Sequence, residues 1–529
     1  MATRSPARRS PRAASRFDRA KYEGGVETFL AELGEMRFAA LSGQEPARDT
    51  AAIYARHAAL FDEGQLSALR AAADGQDDDA RRARALLAFG SEGHLEKGVA
   101  PLSDEIAAAE AQASIIWRGE RIPYRAAAIR AAQLSNRGER NGLMASYLEA
   151  VEAINPLRVE RLLMMRDALR DLGHEGELRY ASDLMGIDVV ALAQDLRQFL
   201  SESETVYYAA LRRNMAEIDI EQGDGSTADL AYILRGSAWD AWFDRRRMMD
   251  VVSATLSLLG VDIGRQNDLT LDLDTRPGKS PRAFCIPVRV PGDIRLGMLP
   301  RGGFHDYAAT LHVLGHAEHF AHADPALPVA WRYLGDRSVS EAFAMLLEYL
   351  PLEPTWVAEQ LRMSDADSVA WADFFAFSKL TAMRRDVARL LYQIRLDDGT
   401  AIDEARAYYA GLLGGTLGVR TPEELFLADV GDHFDAAVVL RGFLLEGSLE
   451  ASMRAGHGEA WWRSAAAGET LRRSWSRGQE WDAERVVAHL GYDHLDWRPV
   501  LRQIRTRLIG EMSGYGGPNI TTRAGTRKV

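Results

Sequence analysis

The chain has 529 residues, of which 47% are hydrophobic and 26% are charged, so it can bury a large core as two or three domains or as one large helical body. Its formal net charge of -12 argues against nucleic acid as the main partner, because phosphate binding needs a concentrated basic face. No apolar run is long enough for a membrane span, no signal-peptide pattern is present, and the single cysteine, Cys285, excludes an internal disulfide, so we expect a cytoplasmic protein without a membrane partner.

The first half of the chain is predicted to be helical behind a basic tail. Residues 1–20 are rich in Arg and Ser and interrupted by Pro, which is typical of a disordered segment. Over residues 21–263 apolar side chains recur at intervals of three and four, which predicts a helical N-terminal region.

The second half, residues 264–510, begins with a change of pattern. Alternating residues and the turn PGD predict a small sheet over 269–299, the only sheet that the sequence indicates. Two helices are expected within 306–350, followed by further helices, and the Gly-rich residues 511–529 are predicted to be a tail.

The segment HVLGHAEHF, residues 312–320, lies in the first of those two helices. Residues four apart on an α-helix are separated by about 40° around its axis, so His312 and His316 project from one face. Zinc favours such imidazole pairs, and in catalytic sites it takes three protein ligands and leaves a fourth position open. His319 belongs to the same histidine-rich face. A pair of this kind is more often an ordinary surface or core feature, so by itself it leaves both interpretations open.

Glu341 is the candidate third ligand, at the start of the next predicted helix. Its carboxylate would complete the set if the two helices pack side by side. The competing interpretation is a capping box, in which Ser338 and Glu341 satisfy the first backbone N–H groups of that helix. Spacing alone favours the cap.

HVLGHAEHF followed by GDRSVSEAFAMLLEYL resembles the H-E-x-G-H and downstream-Glu pattern of the thimet oligopeptidase and oligoendopeptidase F family of zinc metallopeptidases, which are gluzincins, with some likeness to carboxypeptidase Taq-type enzymes. Other segments are also similar to bacterial members of that group: WRGERIPYR, INPLRVERL, PRAFCIPVRVPGDIRL, PRGGFHDY and EAWWRSAAAGETLRRSW. Only the zinc motif is specific.

The resemblance implies a mainly α protein with a large helical zinc-peptidase fold, a small β-sheet next to the active-site helix, and a deep channel of which residues 21–263 form one wall. It implies Zn²⁺ held by His312, His316 and Glu341, and short peptides or peptide-like small molecules as partners. It also implies a strand beside the site that pairs with extended peptide, which falls within 294–299 and is assigned to four residues: Ile294, Arg295, Leu296 and Gly297.

Val313 is where the chain departs from this family. The glutamate that family members carry after the first histidine is not a ligand; it accepts a proton during hydrolysis and delivers one to the leaving amine. Valine can do neither, and loss of a positioned general acid–base costs about 10²–10⁴ in rate. We expect Glu318 to point away from the site, and Glu348 and His319 to lie in the shell that orients the ligands.

Family members also carry Tyr or His groups that stabilise an oxyanion. The candidate at this position is His433, with Tyr408, Tyr409 and Tyr515 as weaker alternatives, and each is more commonly an ordinary packing or surface residue.

The leading hypothesis is therefore a zinc-binding pseudopeptidase that binds peptides with little turnover. The alternative is an active zinc-dependent oligopeptidase or other zinc hydrolase that uses a different base; a third is that Val313 is an altered position in an active peptidase. The sequence does not give the substrate or the oligomeric state.

Overall fold

The structure is a computed structural model that describes residues 17–44, 49–221 and 223–508. Its first part is built from long helices, as predicted. Asp18 caps the first of them by accepting a hydrogen bond from the backbone N–H of Lys21, so this helix begins at Arg19, inside the region predicted as tail. The ten helices of this part are α1 (Arg19–Leu41), α2 (Thr50–Arg56), α3 (Glu63–Ala72), α4 (Asp78–Gln112), α5 (Tyr124–Ala131), α6 (Arg137–Asp171), α7 (Glu177–Met185), α8 (Val189–Ala216), α9 (Thr227–Arg235) and α10 (Met248–Leu258).

A two-stranded hairpin interrupts these helices, which the sequence analysis did not predict. Strands β1 (Ser114–Trp117) and β2 (Glu120–Pro123) pair antiparallel around a two-residue turn, Arg118 and Gly119, with φ of 52° and 84°. Positive φ at both turn residues is the geometry that two-residue hairpins favour. The prediction of a single sheet in the chain was therefore wrong.

A three-stranded sheet forms where the sequence predicted one. It contains β3 (Leu269–Asp272), β4 (Phe284–Arg289) and β5 (Asp293–Gly297) in the order β3-β5-β4. The predicted turn PGD connects β4 and β5, which pair antiparallel, and β3 pairs with β5 in parallel.

The central position of β5 corrects the prediction of a peptide-pairing strand. Both backbone edges of this strand are occupied, since Ile294 and Leu296 are register partners of residues in β3 and in β4. A peptide cannot add to a strand whose two edges are already paired. The backbone of Ile294, Arg295, Leu296 and Gly297 is therefore not a docking edge.

Ten α-helices follow the sheet within the described residues, and the tail predicted for 511–529 lies outside them. Their bounds are α11 (Phe304–Ala321), α12 (Val329–Tyr333), α13 (Arg337–Glu348), α14 (Pro354–Leu361), α15 (Asp365–Asp397), α16 (Ile402–Leu417), α17 (Asp435–His457), α18 (Ala465–Trp475), α19 (Ala483–His489) and α20 (Arg498–Leu508). None of the helices in the described ranges has both the length and the apolar character that a bilayer span requires.

Helix α13 lies between α11 and α17, and glycines bring the three helices close together. A Cβ on Gly315 of α11 would lie 2.5 Å from the Cα of Ala344 in α13, and a Cβ on Gly442 of α17 would lie 2.7 Å from the Cγ of Glu341. Any larger residue at either position would push the helices apart. This packing holds Glu341 against α11, and β5 packs on the same helix. The predicted fold class, a large helical protein with a small sheet next to helix α11, is confirmed.

Candidate metal centre

His312 and His316 meet on one face of α11 with their Nε2 atoms 3.2 Å apart. The Nδ1 atom of each ring is engaged elsewhere: that of His312 is 2.8 Å from Oε2 of Glu348, and that of His316 is 2.9 Å from Oγ of Ser340. These contacts fix both ring orientations and leave the two Nε2 atoms to face a common point.

Glu341 extends toward the same point from α13. Its Oε2 lies 3.4 Å from Nε2 of His316 and its Oε1 lies 3.8 Å from Nε2 of His312. The capping-box alternative is wrong, because the N-cap of α13 is Asp336, whose side chain accepts a hydrogen bond from the N–H of Ser338. The structure thus leaves the carboxylate of Glu341 free to face the histidines.

The three ligand atoms suit a zinc ion in kind and in spacing. Ligand atoms of His312, His316 and Glu341 all lie within 4.8 Å of one another, and the described residues contain no other group of three His, Cys, Asp or Glu that does so. Tetrahedral zinc with Zn–N bonds of about 2.05 Å needs an N···N separation of about 3.3 Å, close to the separation of the two Nε2 atoms. Two imidazoles and one carboxylate are also the donors found in catalytic zinc sites.

The charges of this cluster are strongly coupled. Burial lowers the pKa of His312, but the carboxylates of Glu348 and Glu341 outweigh burial and raise it to about 9. Burial raises the pKa of Glu341, but the hydrogen bond from His316 and the charges of both histidines lower it to about 2. The cluster therefore keeps Glu341 ionised, as a metal ligand must be.

A cavity of about 590 Å³ opens beside the cluster, and we call it the metal-side cavity. His312, Val313 and Glu348 contribute to its wall, so position 313 borders this cavity. Val313 is 5% exposed and brings only methyl groups. The segment before α11 and the start of that helix also line the cavity.

Three arginines line the same cavity, and two of them make no ion pair among the described residues. Arg235 is paired with Asp240 through two contacts of 2.8 Å, whereas the guanidinium groups of Arg282 and Arg301 make no ion pair with any residue that the structure describes. Asp306 accepts hydrogen bonds from two backbone N–H groups of the preceding loop, although burial raises its pKa. The cavity thus offers two guanidinium groups outside any ion pair, together with the carboxylates of Asp306 and Glu348.

Glu348 and His319 were both predicted to orient the metal ligands, but only Glu348 contacts one of them. Glu348 contacts His312, whereas the Nε2 of His319 lies 2.9 Å from the carbonyl oxygen of Gly478, and the Nδ1 of His319 has no hydrogen-bond partner among the described residues. His319 is fully buried, which lowers its pKa to about 4. The prediction that His319 orients a ligand was wrong, because its ring points to the turn after α18. Glu318 also turns away, as predicted, and bonds to Gln266 at 2.8 Å.

The oxyanion candidates are not brought to the three ligands. The ring nitrogens of His433 each lie 3.4 Å from a glutamate, Glu96 for Nε2 and Glu177 for Nδ1. Tyr409 donates to Asp429 at 2.9 Å, and the ring of Tyr408 lies under an arginine at an exposed position. Tyr515 lies outside the described residues.

Sequence reasoning missed Ser340 and the cavity arginines. Ser340 follows from no motif, because its role depends on which face of α13 meets α11. Arg282 and Arg301 lie within the segments PRAFCIPVRVPGDIRL and PRGGFHDY, but their position in one cavity without ion-pair partners is visible only in three dimensions. Of the four residues assigned to substrate pairing, Ile294 and Leu296 are buried in the core, and Arg295 pairs with Asp293 at 2.7 Å.

Together the fold and the triad define a mainly helical protein with a candidate His/His/Glu metal site. A crystal structure of an M32 carboxypeptidase from Deinococcus radiodurans R1 is similar in fold, with a TM-score of 0.59 over 92% of this chain and 97% of that chain, at 16% sequence identity. At that identity the likeness concerns the fold alone. No protein-family model matches the chain, and no curated protein matches it in sequence. The narrower resemblance to the thimet oligopeptidase and oligoendopeptidase F family stays a prediction.

Proposed function

We propose that this protein binds zinc through His312, His316 and Glu341 and holds the C-terminal end of a short peptide or peptide-like molecule in the metal-side cavity, with little hydrolysis. The observation that carries the proposal is the convergence of the two Nε2 atoms and the Glu341 carboxylate on one point, with both Nδ1 atoms engaged by neighbours. Such an arrangement holds a metal with little reorganisation.

The cavity charges support a substrate that ends in a carboxylate. Arg282 and Arg301 supply guanidinium groups without ion-pair partners in the described chain, and guanidinium binds carboxylate with two parallel hydrogen bonds. The structurally similar protein is an M32 carboxypeptidase, which agrees with recognition of a peptide C-terminus. The apolar wall, which includes Val313 and Met298, would contact the side chains of the bound peptide.

Little turnover follows from the residue at position 313. A bound zinc ion would supply Lewis acidity toward a peptide carbonyl and lower the pKa of a water molecule. Val313 provides no group that accepts a proton from water or delivers one to the leaving amine, and an amide nitrogen leaves poorly without a proton. The protein would therefore act mainly as a binding protein for peptides.

Slow hydrolysis with another base is the second candidate function, and the position of Glu348 favours it. Glu348 lines the metal-side cavity together with Val313, so its carboxylate lies in the same wall as the position of the missing glutamate. The Oε2 atom of Glu348 lies 2.8 Å from Nδ1 of His312, so its other carboxylate oxygen would be the proton acceptor. Any residual hydrolysis should then be lost in Glu348→Gln.

Calorimetry with zinc-loaded protein tests the proposed function. A short peptide with a free C-terminal carboxylate should bind, and its C-terminal amide should bind about 10- to 100-fold more weakly, because the amide loses a charge-assisted hydrogen bond. Arg301→Met should abolish the difference between the two peptides. Equal affinity of acid and amide in the wild type would contradict recognition of the carboxylate, and rapid cleavage of the acid would replace binding by catalysis as the main function.

A further inference from the structure

Four residues on one face of α11 line the metal-side cavity: His305, Ala308, Ala309 and His312. His305 precedes His312 by two helical turns, so the two side chains lie about 20° apart around the helix axis and about 10.5 Å apart along it. The two alanines between them fill little space. An extended ligand can therefore lie along this face, with one part at the metal centre and another at His305.

A hydrogen bond to the end of α9 holds the ring of His305. Its Nε2 lies 2.9 Å from the carbonyl oxygen of Leu234, in the last turn of that helix. Because a carbonyl oxygen can only accept, Nε2 carries the proton, and Nδ1 of the neutral ring presents a lone pair. Nδ1 has no hydrogen-bond partner among the residues that the structure describes. The bond to Leu234 thus fixes Nδ1 as an acceptor.

His305 stays neutral around pH 7. Many protein atoms surround its ring, which lies 3.9 Å from the ring of Phe304 between centroids, and this burial lowers the pKa of His305 to about 4. The residue is nevertheless more exposed than Phe304 and Asp306 on either side of it, and it lines the cavity. His305 therefore brings an uncharged acceptor to the cavity wall.

The surroundings of His305 favour an uncharged donor. Surroundings that disfavour a positive charge on the imidazole also disfavour an ammonium group bonded to it, so the matching donor is a neutral N–H. The carboxylates in the same wall already have partners, because Asp306 accepts from two backbone N–H groups and Glu348 contacts His312. A peptide, which carries one neutral N–H group per residue, supplies such a donor at regular intervals.

We propose, on the basis of the proposed function, that His305 is a specificity residue that accepts a hydrogen bond from a backbone N–H of the bound peptide. Extended peptide advances about 3.4 Å per residue, so about three residues cover the distance of about 10.5 Å between His312 and His305. The donor is then the N–H of about the third residue after the carbonyl that faces the metal centre. The preferred ligand is a peptide of four or more residues, and a dipeptide is too short to reach His305.

Calorimetry with zinc-loaded wild-type protein tests the donor. The probes are penta-alanine and its four derivatives that carry a single N-methyl group on one peptide nitrogen, because each derivative lacks one N–H. A derivative methylated in the C-terminal half should bind about 3- to 10-fold more weakly than penta-alanine, which corresponds to the loss of one hydrogen bond. We call it the sensitive derivative.

Two variants separate the acceptor of His305 from its bond to α9. His305→Gln carries a nitrogen donor near the position of Nε2, so it keeps the bond to Leu234 but has no acceptor at the position of Nδ1. It should bind penta-alanine about as weakly as wild type binds the sensitive derivative, and the N-methyl group should have no further effect. His305→Asn, whose side-chain oxygen lies near the position of Nδ1, is the matched control. It should melt at a lower temperature but keep the effect of N-methylation.

The outcomes distinguish this inference from the proposed function. The same N-methylation profile in wild type and His305→Gln would overturn the inference, and so would a profile that is lost in His305→Asn alone, which would leave His305 as a cap of α9. The proposed function is tested separately by comparing penta-alanine with its C-terminal amide. If the acid is preferred and no derivative depends on His305, only the inference fails. If acid and amide bind equally and the dependence on His305 remains, only carboxylate recognition fails, and absence of penta-alanine binding contradicts both.

Discussion

Two of the clusters in which histidine meets glutamate in the described residues differ in what they can hold. In the metal centre, two histidines and one glutamate direct three ligand atoms to one point. In the second, which we call the His433 cluster, one imidazole lies between Glu96 of α4 and Glu177 of α7, with a separate carboxylate 3.4 Å from each ring nitrogen. The carboxylates of the His433 cluster lie on opposite sides of the ring, so no point is shared by all three groups.

Charge alone does not separate the clusters. Burial lowers the pKa of both His312 and His433, and in both cases nearby glutamates outweigh it, so that the pKa rises to about 9 for His312 and well above its usual value for His433. The two clusters differ in the directions in which their donor atoms point. In a metal site the ligand atoms converge on one point, and the other polar atoms of the ligands are hydrogen-bonded to neighbours. Carboxylates that lie beside different nitrogens of one imidazole form ion pairs that link helices instead.

The largest expected effect is on metal content. Wild-type protein reconstituted with zinc and dialysed should retain about one zinc ion per chain, and His316→Ala should retain almost none, because two protein ligands rarely suffice for a stable zinc site. His433→Asn, which removes the histidine of the other cluster, should retain the wild-type content. Elemental analysis measures all three. Zinc that is absent from the wild type, or retained equally by His316→Ala, would contradict the assignment of the metal centre.

The next effect concerns catalysis and separates binding of a metal from use of it. Val313→Glu should raise kcat/KM for cleavage of short peptides by about 10²–10⁴, because it adds a carboxylate to the cavity wall beside His312. Val313→Gln, which has the same size but does not ionise, is the matched control and should stay at the wild-type level.

Activated esters sharpen this test, because their leaving groups depart without a proton. Val313→Glu should therefore increase ester hydrolysis much less than amide hydrolysis. An unchanged ester-to-amide ratio would show that valine at this position removes something other than proton transfer. Robust peptidase activity of the wild type would show that another residue, with Glu348 the first candidate, already acts as the base.

A smaller effect is expected from the residues that orient the ligands. Glu348→Ala should weaken zinc affinity by about 10- to 100-fold, since the ring of His312 loses its hydrogen-bond partner at Nδ1. Glu348→Gln keeps an oxygen that accepts from Nδ1 and should lose less. Competition with a fluorescent zinc chelator measures these affinities. Equal affinity of wild type and Glu348→Ala would mean that packing alone holds the ring of His312.

The parts of this structure that the sequence predicted are those that depend on local sequence patterns. His312 and His316 are one helical turn apart on one helix, so their convergence follows from helix geometry. Glu341 needed the family resemblance, because spacing alone favoured a helix cap, and only the packing of α13 between α11 and α17 decides between them. The helical fold and the β4–β5 hairpin were likewise predictable from periodicity and turn residues.

The predictions that were wrong concern contacts between segments that are distant in sequence. The central position of β5 results from its parallel pairing with β3, across a connection that no local pattern defines. His433 was proposed for the oxyanion, yet its backbone N–H bonds to Glu177, 256 residues earlier in the chain. The hairpin of β1 and β2 was missed because its strands have only four residues each within a helical region.

The smallest expected effect is on stability, and it tests whether the ion pairs of the His433 cluster stabilise the fold. His433→Asn should lower the free energy of unfolding by about 1–3 kcal/mol, because it removes a buried charged partner of Glu96 and Glu177. Asparagine tolerates the left-handed backbone that His433 adopts at φ 53°, so the change acts on the ion pairs more than on the backbone.

The pH dependence of that effect has a definite sign. Because the folded protein raises the pKa of His433 above its usual value of 6.5, the contribution is fully present below about pH 6.5 and is lost as pH rises through the folded-state pKa. Urea unfolding of wild type and His433→Asn across neutral and alkaline pH should show the two stabilities converging as pH rises. A difference in unfolding free energy that does not change with pH would mean that His433 stabilises the protein by packing and not through its ion pairs. Zinc content should stay the same in both proteins throughout, because the donors of the two clusters do not meet.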